Sequence, residues 1–457
     1  MDTDLHLTDL NPHGGIAANS WLLNWGPFRF VVDAGMSPKH DGLEAVPRYG
    51  PAFAEPLDFV VVTHCHLDHL GSLPILMRQQ PSAPILLSRG SHILARRLLH
   101  NSCTLMTRQR DELPEPAYPL FTHREIEKLN HMMFPLVEGE TKFFHSATGE
   151  RLALTFHRAG HIPGAVAVTA EYRGRKVMFS GDLLFADQKI LRGAQIPDDP
   201  VDVLVLETTR GARGRPPGTS RATEITRLLA KIREVHARGG SILIPVFALG
   251  RMQELIAQFH AAREAGQLPE MPIYLSGLGV DLADFFDEIA KKVGHLKFRR
   301  AMIKELGAVK LPDNLTPRRM PPGPALYLVS SGMMVERTPS HKVAAGLVAG
   351  EANAICFVGY CDPDAPGGTL LATAKGEKMS FGEVGAMQTV RAEVCRFDLS
   401  SHAEREELRD LAVRLKAKTV VLSHGDAAAR TWMGEAITAE NPAVRIVDPV
   451  PGKAVGL

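Results

Sequence analysis

The run His64-Cys65-His66-Leu67-Asp68-His69 limits what this chain can be more than any other feature. It follows Phe59–Val62, an apolar β-branched stretch that reads as a strand running into Thr63. Imidazole and carboxylate are the ligands expected for zinc or a similar divalent ion. In an extended loop, residues two apart point the same way, so His64 and His66 can grip one ion. If the chain then turns into a helix, Asp68 and His69 face a neighbouring position. One short segment can thus seed two metal sites.

A chance histidine cluster would stand alone, and this one does not. His161 closes a strand in Arg158-Ala159-Gly160-His161. Asp182 follows one in Phe179-Ser180-Gly181-Asp182, and His424 another in Leu422-Ser423-His424-Gly425. Each sits at the end of an apolar strand beside a small residue. Strand ends are where sites assemble in open α/β sheets.

At 457 residues the chain is too long for one ordinary core, so two domains are expected. The 45% hydrophobic and 23% charged composition is that of a folded globular protein. No apolar run of about 18 residues predicts a membrane span. The acidic, mixed start MDTDLHLTDL lacks the basic start and apolar run expected of a secretory leader. Cysteines 65, 103, 356, 361 and 395 form no C-x-x-C pair, which fits reduced thiols in a cytoplasmic protein. The net charge of +1 rules out a strongly basic coat, yet residues 208–390 carry 23 Lys and Arg against 17 Asp and Glu. A mildly basic middle fits a polyanion-facing insert as well as ordinary charge scatter.

Strands and helices alternate over most of the length. Phe28–Val32, Leu152–Phe156, Val166–Tyr172, Lys176–Phe179 and Val203–Leu206 read as strands. Residues 98–145, with Pro114, Pro116 and Pro119, read as a partly helical excursion from the sheet. After the loop RGARGRPPGT at 210–219, a second strand–helix series begins: Ile242–Phe247, the helix Arg251–Glu264, Ile273–Leu275, Ala325–Val329 and Ala354–Val358. Val394–Asp398, the helix Ala403–Leu415 and Val420–Ser423 then read as a return to the first sheet. The expected domains are 1–210, an insertion at 211–390, and a return segment at 391–457.

With these residues in place, the chain resembles the metallo-β-lactamase superfamily, whose members show an aspartate after an early strand, H-x-H-x-D-H, then a histidine, an aspartate and a last histidine. Asp33, His64-His66-Asp68-His69, His161, Asp182 and His424 match in that order. The late insertion is similar to that of the β-CASP nucleases, as are Glu207 in Leu-Glu-Thr-Thr, His402 in Ser-Ser-His-Ala-Glu, and His424. Pro245–Glu254 and Ser330–Met334 resemble stretches of bacterial and archaeal members. Where relatives often carry G-Y-Q and then G-T-x-G-R, this chain has Gly359-Tyr360-Cys361 and Gly368-Thr369-Leu370-Leu371-Ala372.

The resemblance implies an αββα sandwich of metallo-β-lactamase type with an inserted doubly wound α/β domain. It implies two zinc ions per chain. His64, His66 and His161 would bind one and Asp68, His69 and His424 the other, with Asp182 bridging and Asp33 behind the ligands. It implies a ribonuclease, an endonuclease first and a 5′-exonuclease as the other open mode, with single-stranded RNA as partner, no membrane, and a homodimer as one open assembly. Two ions about 3.5–4 Å apart clamp the attacking and leaving oxygens of a phosphodiester and supply a hydroxide at neutral pH. His402 is the candidate general acid, with Glu207 accepting from its other ring nitrogen. Ser400 or Ser401 capping a helix near Ala403 is the plain structural alternative for that segment. Ser331, Gly332 and Arg251 are candidate substrate contacts. A small-molecule metallo-hydrolase and a DNA exonuclease are the main rivals; a catalytically inactive RNA-binding scaffold ranks last, because every ligand position is filled. The first has no need of Glu207, His402 or the insertion, and histidine at 424 speaks against the second.

Overall fold

A computed structural model describes residues 5–110 and 117–457, so Pro114 and Pro116 lie outside the described residues. The chain divides into two compact units. One comprises Met1–Asp187, Gly193–Gly214 and His402–Leu457; the other comprises Gln188–Arg192 and Arg215–Ser401.

The first unit is built on strands that alternate in and out. Along Arg151–Arg158, Leu152, Leu154 and Phe156 are fully buried, while the residues between them are partly exposed. Such faces come from two seven-stranded sheets. One runs from Ala454–Gly456 through Leu5–Asp9, Trp21–Trp25, Phe28–Val32, Phe59–Val61 and Ile85–Ser88 to Met133–Leu136. The other runs from Arg445–Val447 through Thr419–Ser423, Val203–Glu207, Arg175–Phe179, Val166–Tyr172 and Arg151–Arg158 to Thr141–His145. A single apolar cluster joins them, with Phe30, Phe59 and Leu86 of one sheet against Phe156, Val168 and Val205 of the other. Helices cover the outer faces. Arg89–Arg110 packs on Ile85–Ser88, Arg405–Arg414 on Val203–Glu207, and Ala427–Glu440 on Thr419–Ser423. This is the αββα arrangement.

The second unit holds a six-stranded parallel sheet, in the order Ala308–Lys310, Ile273–Leu275, Leu326–Val329, Ile242–Pro245, Ala354–Phe357, Glu393–Arg396. Its central strands are buried on both faces. Leu243, Tyr327 and Val329 join one apolar cluster, while Ile242, Ile244, Leu326 and Leu328 are buried outside it. That two-sided burial is the mark of a doubly wound sheet.

Three expectations need correction. Residues 98–145 are partly helical as expected, through Arg110 and over His123–Leu129, but their later part does not leave the sheets: Met133–Leu136 pairs with Ile85–Ser88, and Thr141–His145 with Arg151–Arg158. Both are edge strands, and an edge strand with proline and exposed positions lacks the buried alternation that marks a strand in sequence. Val394–Asp398 does not return to the first sheet. The strand Glu393–Arg396 pairs with Ala354–Phe357, and the second unit runs on to Ser401 rather than stopping at 390. A short apolar run carries no sign of which sheet it joins. The helix after His402 starts at Arg405 with Glu404 at its N-cap, where Glu404 N–H donates to Glu407 Oε2 (2.8 Å), so neither Ser400 nor Ser401 is the cap.

Candidate metal centre

The donors sit on loops that leave the ends of buried strands. His64 follows Phe59–Val61, His161 follows Arg151–Arg158, Asp182 follows Arg175–Phe179, and His424 follows Thr419–Ser423. Close backbone packing fixes the histidine-rich turn. Asn19 N–H donates to the Asp68 carbonyl (2.9 Å), Ala34 N–H to that of His69 (2.8 Å) and Met36 N–H to that of Leu67 (2.9 Å). Only glycine fits between them at 35, because a Cβ there would run into the Asp68 carbonyl and the Asn19 backbone nitrogen. Gly35→Ala is therefore expected to destabilise the chain by about 1–3 kcal/mol and to lower its metal content. An unchanged melting temperature and metal content would contradict this reading of the turn.

Among the described residues, ligand-type atoms meet in three groups, each with all its atoms within 4.8 Å of one another: His64, His66, His161 and Asp182; Asp68, His69 and His424; and Asp182, Glu207 and His402. Asp182 Oδ2 lies 3.5 Å from His64 Nε2, 3.6 Å from His69 Nε2 and 3.5 Å from His161 Nε2, and Oδ1 lies 3.4 Å from His424 Nδ1. One carboxylate thus stands between the first two groups.

Buried neighbours set the direction of several rings. Asp33 is fully buried at φ 64°, a left-handed conformation unusual for aspartate, and is held there by its own acceptor bonds. Oδ1 accepts from Thr63 N–H (2.7 Å), and Oδ2 from Thr63 Oγ1 (2.8 Å) and Asn19 Nδ2 (3.0 Å). Oδ2 also lies 2.7 Å from His69 Nδ1, which leaves Nε2 of that ring to face the cluster. Thr63 Oγ1 lies 3.2 Å from His64 Nδ1, and Thr209 Oγ1 lies 2.9 Å from His424 Nδ1. The hydroxyl of Thr209 also donates to Glu207 Oε2 (2.7 Å). Asn19, Thr63 and Thr209 do not stand out in sequence as functional residues. The only signal is placement, with Thr63 beside His64 and Thr209 two residues after Glu207.

The donor set fits a metal. His64 Nε2, His69 Nε2 and Asp182 Oδ1 are buried polar atoms without a hydrogen-bond partner, an arrangement that costs free energy unless a cation completes it. Burial, helped by the four neighbouring imidazoles, drives His64 well below the usual histidine range, which is the neutral form a ligand needs. Burial also opposes charge on His69, but Asp182, Asp33 and Asp68 outweigh it and lift that ring to about 10. The carboxylates thus favour positive charge at the centre.

In the third group, His402 Nδ1 lies 3.0 Å from Glu207 Oε2. Glu207 is buried, and its Oε1 accepts from Leu183 N–H (2.6 Å). Burial would raise the Glu207 carboxyl, yet the His402 imidazole beside it holds it low. The His402 ring is 4.6 Å from that of His161, so it borders the cluster.

The remaining candidates belong to the second unit. Ser331 Oγ accepts from Val335 N–H (2.9 Å), and Gly332 is buried under Phe247. Arg251 opens the helix Arg251–Glu264 and is 7% exposed, and its Nη1 has no hydrogen-bond partner. Burial, and then the charge of Arg221, push its guanidinium down to about 9.

Facing sheets with histidines and aspartates gathered on strand-end loops define a chain of the metallo-β-lactamase class. Three family models match in chain order: Metallo-beta-lactamase superfamily over residues 13–231, Beta-Casp domain over 252–370, and Zn-dependent metallo-hydrolase RNA specificity domain over 387–447. The chain belongs to the metallo-β-lactamase superfamily, in the branch that carries a β-CASP domain. It is 29% identical over 426 residues to Ribonuclease TTHA0252 of Thermus thermophilus, covering 90% of this chain and 91% of the relative. It is 25% identical to Probable RNase MJ4 of Methanocaldococcus jannaschii, covering 81% and 82%. Endoribonuclease YSH1 of Saccharomyces cerevisiae is 25% identical over 87% of this chain, which spans about half (51%) of that relative. Among solved structures, a protein of unknown function from Enterococcus faecalis aligns with a TM-score of 0.54 over 99% of this chain and 100% of that one. At 13% identity this likeness bears on the fold alone.

Proposed function

We propose that the chain is a zinc-dependent ribonuclease that hydrolyses phosphodiester bonds within single-stranded RNA. The observation that carries this reading is the position of Asp182, which groups with His64, His66 and His161, lies 3.6 Å from His69 and 3.4 Å from His424 of the second group, and is bordered by the Glu207–His402 pair. His64, His66 and His161 would hold one zinc ion, Asp68, His69 and His424 a second, and Asp182 both. Such a pair of ions supplies a nucleophile at neutral pH and neutralises charge on the phosphate.

The chain's own residues do the rest. Asp33, Thr63 and Thr209 hold the rings of His69, His64 and His424 by their Nδ1 atoms. Asp182 also orients the attacking water by accepting a hydrogen bond from it. Glu207 accepts from His402 Nδ1, so the proton for the leaving ribose oxygen sits on Nε2. Without that proton the leaving group would be an alkoxide, which departs poorly. Arg251, Ser331 and Gly332 are the proposed RNA contacts of the second unit, the guanidinium pairing with a phosphate. The names of the relatives, ribonuclease and endoribonuclease, support RNA as substrate and cleavage within the strand.

The test is incubation with end-labelled RNA and DNA of one sequence, with and without chelator. RNA cut internally, DNA left whole, and cleavage abolished by chelation and restored by zinc is the expected result. Equal cleavage of the two polymers, or cleavage that survives chelation, would remove the reading.

A further inference from the structure

The second unit carries an exposed aromatic ring where a doubly wound sheet takes its ligands. From Ile242–Pro245 the chain leaves through the helix Arg251–Glu264 to Ile273–Leu275 on one side. From the adjacent strand Leu326–Val329 it leaves through the helix Pro339–Leu347 to Ala354–Phe357 on the other. Neighbouring parallel strands whose connections depart in opposite directions open a crevice at their carboxyl ends, and ligands of such sheets bind there. The loops that line it are 246–250 and 330–338.

Phe247 stands in the first of these loops and is 39% exposed, although Val246 beside it is buried. The loop is pinned, since Met252 N–H donates to the Phe247 carbonyl (3.2 Å). The ring backs onto Gly332 of the second loop. A Cβ on Gly332 would lie 3.0 Å from ring atoms Cδ2 and Cε2, so a residue with no side chain lets the ring lie where it does.

The charge around it favours an anionic partner. Arg251 follows four residues after Phe247, nine-tenths buried with Nη1 unpartnered. Arg221 lies 3.5 Å from Glu254, whose two oxygens already accept from Lys189 and Ile190 N–H. Arg251 meets the charge of Glu254 and Asp398 only at longer range, which leaves its guanidinium open to an anionic partner. A polyanion bearing flat bases meets both demands.

We propose that Phe247 is a nucleobase-stacking platform, on which one base of the RNA strand lies while its backbone runs past the Arg251 end of the neighbouring helix. This rests on the ribonuclease reading and adds to it a place where the strand is gripped independently of its sequence, because every base has a π-face.

The test uses the full chain in a His402→Ala background, so that bound strands are cut slowly. Single-stranded oligoribonucleotides carry 2-aminopurine at one position each. At one position its fluorescence should be quenched on binding, and Phe247→Ala should relieve that quenching. The same substitution should weaken RNA affinity about 5- to 100-fold, while Phe247→Tyr and Phe247→Trp restore both signals. Unchanged affinity with alanine, or no quenched position in the parent protein, would overturn the proposal and leave the ribonuclease reading standing. No RNA binding by the parent protein at all would remove that reading, and this inference with it.

Discussion

Replacing His402 by alanine is expected to slow RNA cleavage about 10²–10⁴-fold, the usual contribution of a positioned general acid, while the protein keeps its full metal content. His402 borders the ligand cluster, and its Nδ1 is spoken for by Glu207. The proton that matters is therefore on Nε2. Loss of the ring should act on kcat more than on KM, because protonating the leaving oxygen is a transition-state event. The fold should tolerate the change. Glu404, not His402, caps the helix Arg405–Arg414, and Glu207 keeps its bonds from Leu183 N–H and the Thr209 hydroxyl. Added imidazole should restore part of the rate. A variant that cuts RNA at the wild-type rate would take His402 out of the chemistry.

A change at Asp182 should act differently, because its carboxylate lies 3.4–3.6 Å from donors of both ligand groups. Asp182→Ala is expected to abolish measurable cleavage together with metal binding. Removing an outer hydrogen-bond partner of a metal ligand typically costs about 10–100-fold in affinity or activity, and a shared direct ligand should cost more. The loss should come with a lower melting temperature, since His64 Nε2 and His69 Nε2 would remain buried without a cation to complete them. Metal content thus separates the two variants: retained without His402, lost without Asp182. Metal retained at the wild-type level in Asp182→Ala would contradict the bridging role.

Much of the centre could be read from the sequence because its donors obey one local rule, a buried strand followed by a ligand-type side chain. His64, His161, Asp182 and His424 all follow it, and the strands that carry them are apolar enough to show. The helix Arg251–Glu264 was equally plain, since Gly250 precedes it and its apolar faces repeat. Edge strands were harder. Met133–Leu136 contains Pro135 and exposes Phe134, so its pattern matches a loop as well as a strand. Glu393–Arg396 shows itself as a strand, but not the sheet it joins, because pairing depends on distant Ala354–Phe357 and leaves no local trace. The residues that orient the rings were hidden for another reason. Asn19, Thr63 and Thr209 are common polar residues, and only the fold brings their side chains to a histidine or its carboxylate partner. Phe247 shows the same limit. At the end of the expected strand Ile242–Phe247 it reads as core, and only the structure ends the strand at Pro245 and turns the ring outward.

Seven side chains, spread from His64 to His424, are held to converge on a pair of cations. Counting metal ions per chain in freshly purified protein by elemental analysis tests this most directly. About two zinc ions per chain are expected, removable by chelation and absent from Asp182→Ala. No tightly bound metal in the wild-type protein, or the same content in both proteins, would contradict it.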